Sequence, residues 1–177
     1  DNDNVQAKFH QNGYKVTYSV PQQTGQSECG THGGEAVAVK SHIASRNIPI
    51  DTMNLLESQF GAPRFAARIV SFRKVDVLFI TVYLWCSEGF SERNNLILHQ
   101  IHLLMTTVNL PVIRFGDFNV TAQQFSESTW PERLRVKLLA PPVQSTLSTT
   151  NNRIIGFGLI SNNIYIMFKS IDPINSV

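Results

Sequence analysis

Two apolar segments joined by two polar residues constrain the fold of this chain more than any other feature. RFAARIVSF spans 64–72 and VDVLFITVYLW spans 75–85, with only Arg73 and Lys74 between them. Runs of β-branched and aromatic residues on either side of a tight polar turn are typical of a β-hairpin. The sequence therefore predicts two adjacent, largely buried strands.

A helix and a further strand follow this hairpin. Ser91 is a candidate N-cap and Asn109 lies near the expected C-terminus. Between them, apolar residues recur at helical spacing: Leu96, Ile97, Ile101, Leu104, Met105 and Val108. PVIRFG at 111–116 is the next candidate strand. Hairpin links combined with a strand, helix, strand order predict mixed sheets sandwiched between helices.

The remaining elements are shorter. We expect a helix over 5–12 and a strand over 13–20, where apolar and aromatic residues alternate. A second short helix is predicted near 131–139. Two final strands are predicted at 153–161 and 164–170, separated by a tight turn.

Composition narrows the class of protein. With 177 residues, 42% hydrophobic and 16% charged, residues 1–177 are expected to form a single domain. The formal net charge of +2 is too small to imply or to exclude nucleic acid. The longest apolar run is about half of a membrane-spanning helix, so no transmembrane segment is predicted. Cys29 and Cys86 lack metal-ligand spacing and are interpreted as free thiols, which favours an intracellular location, an organelle included.

The stretch VIRFGDFNV at 112–120 carries a polar pair out of a predicted buried strand. Asp117 offers a hard oxygen ligand for Mg²⁺, and Asn119 can donate to a phosphate. Phe118 between them is expected to point the opposite way, into the core. Ligands of α/β sheets collect beyond the carboxyl ends of strands, which favours a functional site. An Asx-turn that closes the strand is an equally weighted alternative.

The order of these segments resembles the endonuclease/exonuclease/phosphatase superfamily, especially the endonuclease domains of LINE-type retrotransposons and the abasic-site nucleases. The matching segments, in order, are GYKVTYSV, HGGEAVAVK, VDVLFITVYLW, the helix from 91, VIRFGDFNV and IIGFGLIS. GDFN after an apolar strand is the most specific of them. The resemblance implies a four-layer α/β sandwich with two facing mixed sheets, Mg²⁺-dependent cleavage of phosphoester bonds, and nucleic acid as a partner.

Three positions agree with the family's site. Asp117 and Asn119 match its Asp and Asn, with Asp117 as the metal ligand that the resemblance implies. Tyr83 matches the Tyr that faces the phosphate. Trp85 stands where the family has Pro, which alters the loop and leaves the Tyr83 hydroxyl in place.

Other positions depart from the family pattern. No Glu matches the metal-binding Glu that precedes the segment similar to FHQNGYKV, where only Asp1 and Asp3 are available, so we expect the N-terminal part of the family fold to be missing. Gly156 replaces an acid. The family's terminal Ser-Asp-His-x-Pro motif is echoed by SIDPI, where Asp172 is followed by Pro rather than His.

Arg64 and Arg68 flank a predicted strand. Either they face a phosphate, or they belong to a solvated surface, which is the commoner role of arginine at strand ends.

Three hypotheses remain. The first is a domain derived from a Mg²⁺-dependent phosphodiesterase that has little or no catalysis and serves as a binding or structural subunit, with protein partners in a larger assembly. The alternative is an active endonuclease whose metal-binding Glu and general base lie outside this chain. The third is an unrelated α/β domain. Gly156 favours the first, because it lies inside the chain and truncation does not explain it.

Overall fold

The computed structural model describes residues 2–19, 22–23, 31–32, 34–139 and 155–165. The helices are α1 (Asn2–Gln11), α2 (Ile50–Phe60), α3 (Glu92–Val108), α4 (Ala122–Glu127), α5 (Trp130–Arg133) and α6 (Asn162–Tyr165). The strands are β1 (Tyr14–Tyr18), β2 (Gln22–Gln23), β3 (Thr31–His32), β4 (Ala36–Lys40), β5 (Ser45–Asn47), β6 (Phe65–Phe72), β7 (Val75–Tyr83), β8 (Val112–Asp117), β9 (Val136–Leu139) and β10 (Gly156–Ser161).

The central layer is a six-stranded mixed sheet with the order β5-β6-β7-β8-β10-β9. Neighbouring strands are antiparallel except β7 and β8, which are parallel because α3 carries the chain back across the sheet. The predicted mixed sheet is confirmed. The parallel pair brings the carboxyl ends of β7 and β8 to the same edge.

A second sheet of β1 and β4 faces the first. Val37 and Val39 of β4 pack against Ala66 and Val70 of β6. The predicted α/β sandwich of two facing sheets flanked by helices is confirmed, although the second sheet is antiparallel, not mixed, in its described strands.

Arg68 of β6 connects the two sheets. Its Nη1 donates to Thr17 Oγ1 at 2.9 Å and to Asn47 Oδ1 at 2.6 Å, while its Nε donates to Ser45 Oγ at 3.0 Å. The solvated role considered for Arg68 is therefore wrong, because the side chain is buried between hydroxyl and amide oxygens.

The predicted hairpin and long helix are confirmed. Arg73 and Lys74 form the β6–β7 turn with φ of 48° and 71°, the left-handed values that two-residue hairpins require. Ser91 caps α3 by accepting a hydrogen bond from Asn94 N, and Asn109 ends it in a left-handed conformation.

Two sequence predictions need correction. The helix predicted near 131–139 ends at Arg133, because Arg135 takes a φ of 51° and the following residues pair as β9 with β10. The start of the last predicted strand, at 164–165, lies in α6, and the rest of it falls outside the described residues. Within the described part of the chain, no helix has the length and apolar character needed to span a membrane.

The main core lies between the large sheet and α2 and α3, and one charged side chain interrupts it. Arg114 of β8 is fully buried, and its guanidinium lies 6.0 Å from the Phe118 ring. None of its three nitrogens has a hydrogen-bond partner in the described structure. Burial lowers the pKa of Arg114 to about 9.

Replacing this arginine should stabilise the protein. Because the unfolded state keeps the ordinary, higher pKa, it binds more protons than the folded state above about pH 9, so stability attributable to Arg114 rises with pH there. Below pH 9 Arg114 is charged in both states, so the full free-energy cost of burying its charge remains. Arg114→Met should raise the free energy of unfolding at pH 7 by about 1–4 kcal/mol.

Urea unfolding at pH 7 and pH 10 measures this effect. The gain from Arg114→Met should shrink at pH 10. The control Arg135→Met, at an exposed position, should change stability by less than about 0.5 kcal/mol. A destabilised Arg114→Met would mean that the guanidinium is well paired in solution.

Candidate functional site

A row of residues crosses the strand ends at one edge of the large sheet. In the β7–β8 ladder Tyr83 lies opposite Asp117, and in the β8–β10 ladder Gly156 lies opposite the same Asp117. Arg64 extends the row, since its carbonyl oxygen accepts a hydrogen bond from Tyr83 N at 3.3 Å. Successive side chains of a strand point to opposite faces of the sheet. Phe79 packs against the second sheet, so Tyr83, four residues later, lies on the same face, between the two sheets.

The glycine of the GDFN motif permits this register. Gly116 lies opposite Val82, and a Cβ on Gly116 would collide with the Val82 carbonyl oxygen. Phe118, as predicted, points into the core, where its ring stacks on Phe157 with centroids 4.2 Å apart. Glycine and phenylalanine in this motif therefore serve packing, while Asp117 and Asn119 remain near the surface.

Asp117 and Asn119 are brought together by an Asx-turn. Asn119 N donates to Asp117 Oδ1 at 3.0 Å, and Asn119 Nδ2 donates to the Leu84 carbonyl at 2.7 Å. Asn119 adopts a φ of 50°, a conformation that asparagine tolerates better than most residues. The turn and the candidate site are thus not exclusive, because the same polar pair closes β8 and lies beside Tyr83 at the strand ends. We call the surface formed by Tyr83, Asp117 and Asn119 the cleft.

Tyr83 presents a phenol that stays protonated. Its hydroxyl lies 3.1 Å from Cys86 Sγ. This hydrogen bond, followed by burial, raises the pKa of Tyr83 to about 12. At neutral pH the hydroxyl is therefore uncharged.

Glu35 joins the site from the second sheet, and the sequence analysis missed it. Ser19 N donates to the Glu35 carbonyl at 2.8 Å, and Glu35 N donates to Ser19 Oγ at 3.1 Å, which fixes the residue just before β4. Burial raises the pKa of the Glu35 carboxyl, and the charge of Asp117 adds to the rise. Burial also raises the pKa of Asp117, against the opposing hydrogen bond from Asn119 N. The only sequence signal was an acid between a glycine pair and a strand.

The described residues of the site offer few ligands for a metal ion. Mg²⁺ is commonly held by one or two carboxylates together with water and substrate phosphate oxygens. Asp117 and Glu35 supply carboxylates, but the described residues include no group of three acidic, histidine or cysteine side chains suited to a metal. The side chains of Asp1, Asp3 and Asp172 lie outside the described part of the chain. The residues present therefore fit Mg²⁺ only in combination with a phosphate ligand.

Solved structures share this architecture. The endonuclease domain of TRAS1, a telomere-specific non-LTR retrotransposon, is similar with a TM-score of 0.64 at 15% identity, covering 86% of this chain and 67% of that chain. The human Nocturnin catalytic domain gives 0.58 at 16%, covering 90% and 65%. An endonuclease/exonuclease/phosphatase family protein from Bacteroides thetaiotaomicron gives 0.52 at 10%, covering 90% and 64%.

These similarities establish the fold. The chain has the endonuclease/exonuclease/phosphatase fold, which confirms the resemblance inferred from the order of its segments. It spans about two thirds of the length of these solved chains. No family model and no curated protein sequence matches it.

Substitutions at Asn119 test its structural part in the site. Asn119→Ala removes the hydrogen bond to Leu84 and keeps a side chain at positive φ, so it should destabilise the protein by about 1–3 kcal/mol. Asn119→Gly loses the same bond without the backbone strain and should cost about 1 kcal/mol less. Urea unfolding, with the exposed Asn163→Ala as the control, measures both. Equal stability of all three variants would show that the turn does not depend on Asn119.

Proposed function

We propose that this chain is a nucleic-acid-binding domain derived from a Mg²⁺-dependent phosphodiesterase, with little or no catalysis of its own. The observation that supports this most is Gly156, directly opposite Asp117 in the β8–β10 ladder. The family resemblance implies a carboxylate at that position. Glycine has no side chain with which to orient a base or a water molecule.

Hydrolysis needs more than the remaining groups supply. Activation of water requires a base within hydrogen-bond reach of the attacking oxygen. The sequence from Ile155 onward contains no histidine, and Asp172 in SIDPI is followed by Pro173. The general base of the related enzymes thus has no counterpart in this region of the chain.

Phosphate binding needs less, and the groups for it remain. The protonated Tyr83 hydroxyl is a potential donor to a phosphate oxygen, and the Arg64 guanidinium lies 5.4 Å from the Tyr83 ring. The solved Nocturnin domain holds a sulfate anion, which resembles phosphate in shape and charge. These features support recognition of a phosphodiester by the Tyr83–Asp117–Asn119 cleft.

In this proposal Mg²⁺ is not required for binding. If the ion takes part, Asp117 and Glu35 would hold it beside a substrate phosphate, where it would supply Lewis-acid stabilisation of negative charge. The proposed role is that of a binding or structural subunit in a larger assembly with protein partners. The likeness to the TRAS1 domain supports a retrotransposon origin.

Glu35 favours a second candidate, an active Mg²⁺-dependent endonuclease. The half-buried Glu35 and Asp117 carboxyls both have raised pKa values, and Asp117 is one cause of the shift at Glu35. A cation bound between the two carboxylates would stabilise their charged forms. Glu35 would then replace the family Glu that has no match in the sequence, and the general base would come from outside this chain.

A plasmid-nicking assay with Mg²⁺ separates the two candidates. The proposed function predicts no nicking above the level of Asp117→Ala, because the sequence from Ile155 onward contains no histidine to act as the general base. Nicking that both Asp117→Ala and Glu35→Gln abolish, while the exposed Glu132→Gln leaves it intact, would overturn the proposed function and establish the second candidate.

Binding without metal gives a complementary test. In EDTA, Asp117→Asn should bind a labelled oligonucleotide more tightly than the unmodified chain, because it removes a negative charge from the cleft. Fluorescence anisotropy measures the affinities. An oligonucleotide that binds only when Mg²⁺ is present would contradict metal-independent binding.

A further inference from the structure

Trp85, the second residue after β7, is held between two arginines. Arg64 Cζ lies 3.7 Å from the centre of the Trp85 ring, and Arg93 Cζ lies 3.8 Å from it. Two guanidinium groups cannot both lie so close to one ring centre on the same face, so they must flank the indole on opposite faces. We call Arg64, Trp85 and Arg93 the arginine clamp.

Asn94 fixes the geometry of the clamp. It is fully buried in the first turn of α3, where its Oδ1 accepts from Trp85 N at 2.7 Å. Its Nδ2 donates to the Trp85 carbonyl at 3.1 Å and to the Gly89 carbonyl at 2.7 Å. Because Arg93 precedes Asn94 in the same helix, the backbones of Trp85 and Arg93 are held together before any ligand binds.

The clamp concentrates positive charge. Burial lowers the pKa of the Arg64 guanidinium, and the like charge of Arg93 contributes to the decrease. Glu88 pairs with Arg93 at 3.1 Å, but the side chains of both residues are partly exposed, Arg93 by 57%, so water and salt weaken this pair. Two cations around one indole are better stabilised by an anion that reaches the exposed guanidinium.

The clamp adjoins the candidate site. Arg64 Nε donates to the Tyr83 carbonyl at 3.4 Å, and its Cζ lies 5.4 Å from the centre of the Tyr83 ring as well as 3.7 Å from that of Trp85. A strand with one phosphate near Tyr83 and Asp117 would therefore carry a neighbouring phosphate toward Trp85.

We propose that the arginine clamp binds a backbone phosphate of a nucleic acid next to the phosphate in the Tyr83–Asp117–Asn119 cleft, without a metal and without preference for base sequence. Arg93, the exposed arginine, contacts the phosphate, while the buried Arg64 contributes its charge. Trp85 positions both arginines, and because guanidinium groups cover both faces of its ring, it does not stack on a base. This inference rests on the proposed binding function.

The test is the affinity of fluorescein-labelled oligonucleotides in EDTA over a series of NaCl concentrations. Arg93→Ala should weaken binding by roughly 3- to 10-fold and reduce the slope of log affinity against log salt by about 1. Trp85→Ala should weaken binding at least as much, whereas Trp85→Phe, which keeps an aromatic face, should retain most of the affinity. Two oligonucleotides of equal length and different sequence should bind equally.

Arg133→Ala is the matched control, since Arg133 lies 5.4 Å from the Trp130 ring and outside the clamp. It should bind like the unmodified chain. If Arg93→Ala and Arg133→Ala have equal, near-normal affinities, the clamp is overturned and the proposed binding function stands. If the unmodified chain binds neither oligonucleotide at low salt, both proposals are overturned. Arg93 is a surface position, so its variant decides the question even if Trp85→Ala does not fold.

Discussion

The parallel register of β7 against β8 determines what the cleft contains. It sets Tyr83 beside Asp117 and places Gly116 against Val82, where a larger residue would collide with the backbone. A slip of one residue would turn the Asp117 side chain toward the core and break both relations. The buried Leu78 and Val82 of β7 and Val112 of β8 oppose such a slip, because their side chains fill the core beneath α3. Core packing on one face of the sheet thus determines the positions of Tyr83 and Asp117 on the other face.

The parts of the structure that the sequence predicted are those that depend on residues close together in the chain. The two-residue turn at Arg73 and Lys74, the cap at Ser91 and the apolar strand before Asp117 each depend on neighbouring residues, and each was predicted correctly.

The features that the sequence did not predict depend on residues far apart in the chain. β9 was predicted as part of a helix, because its pairing with β10 involves residues about twenty positions later. Glu35 was missed for the same reason, since it reaches the cleft from the facing sheet. The burial of Arg68 likewise depends on Thr17, Asn47 and Ser45, which are distant in sequence.

The charged residues of the cleft bear on its proposed function more than the fold does. The fold is shared with nuclease domains, but function depends on the residues at the site. Asp117 and Glu35 offer two carboxylates to a cation, whereas Gly156 lies opposite Asp117 at the position where the family resemblance implies a further acid. Arg64 and Arg93 gather positive charge around Trp85 on the neighbouring loop. We propose that this combination of two carboxylates, a glycine opposite Asp117 and two nearby arginines favours binding of a phosphodiester over its hydrolysis.

Binding at this cleft is the central claim, and chemical-shift mapping by NMR tests it most directly. The ¹⁵N-labelled chain would be titrated with a short unlabelled oligonucleotide in EDTA. Binding at the cleft should shift the amides of Leu84, Asp117 and Asn119 and the Trp85 indole N–H, with no change around the separate cavity lined by His102, Arg135 and Ser161. Shifts at that cavity instead of the cleft, or no shifts at all, would contradict the account.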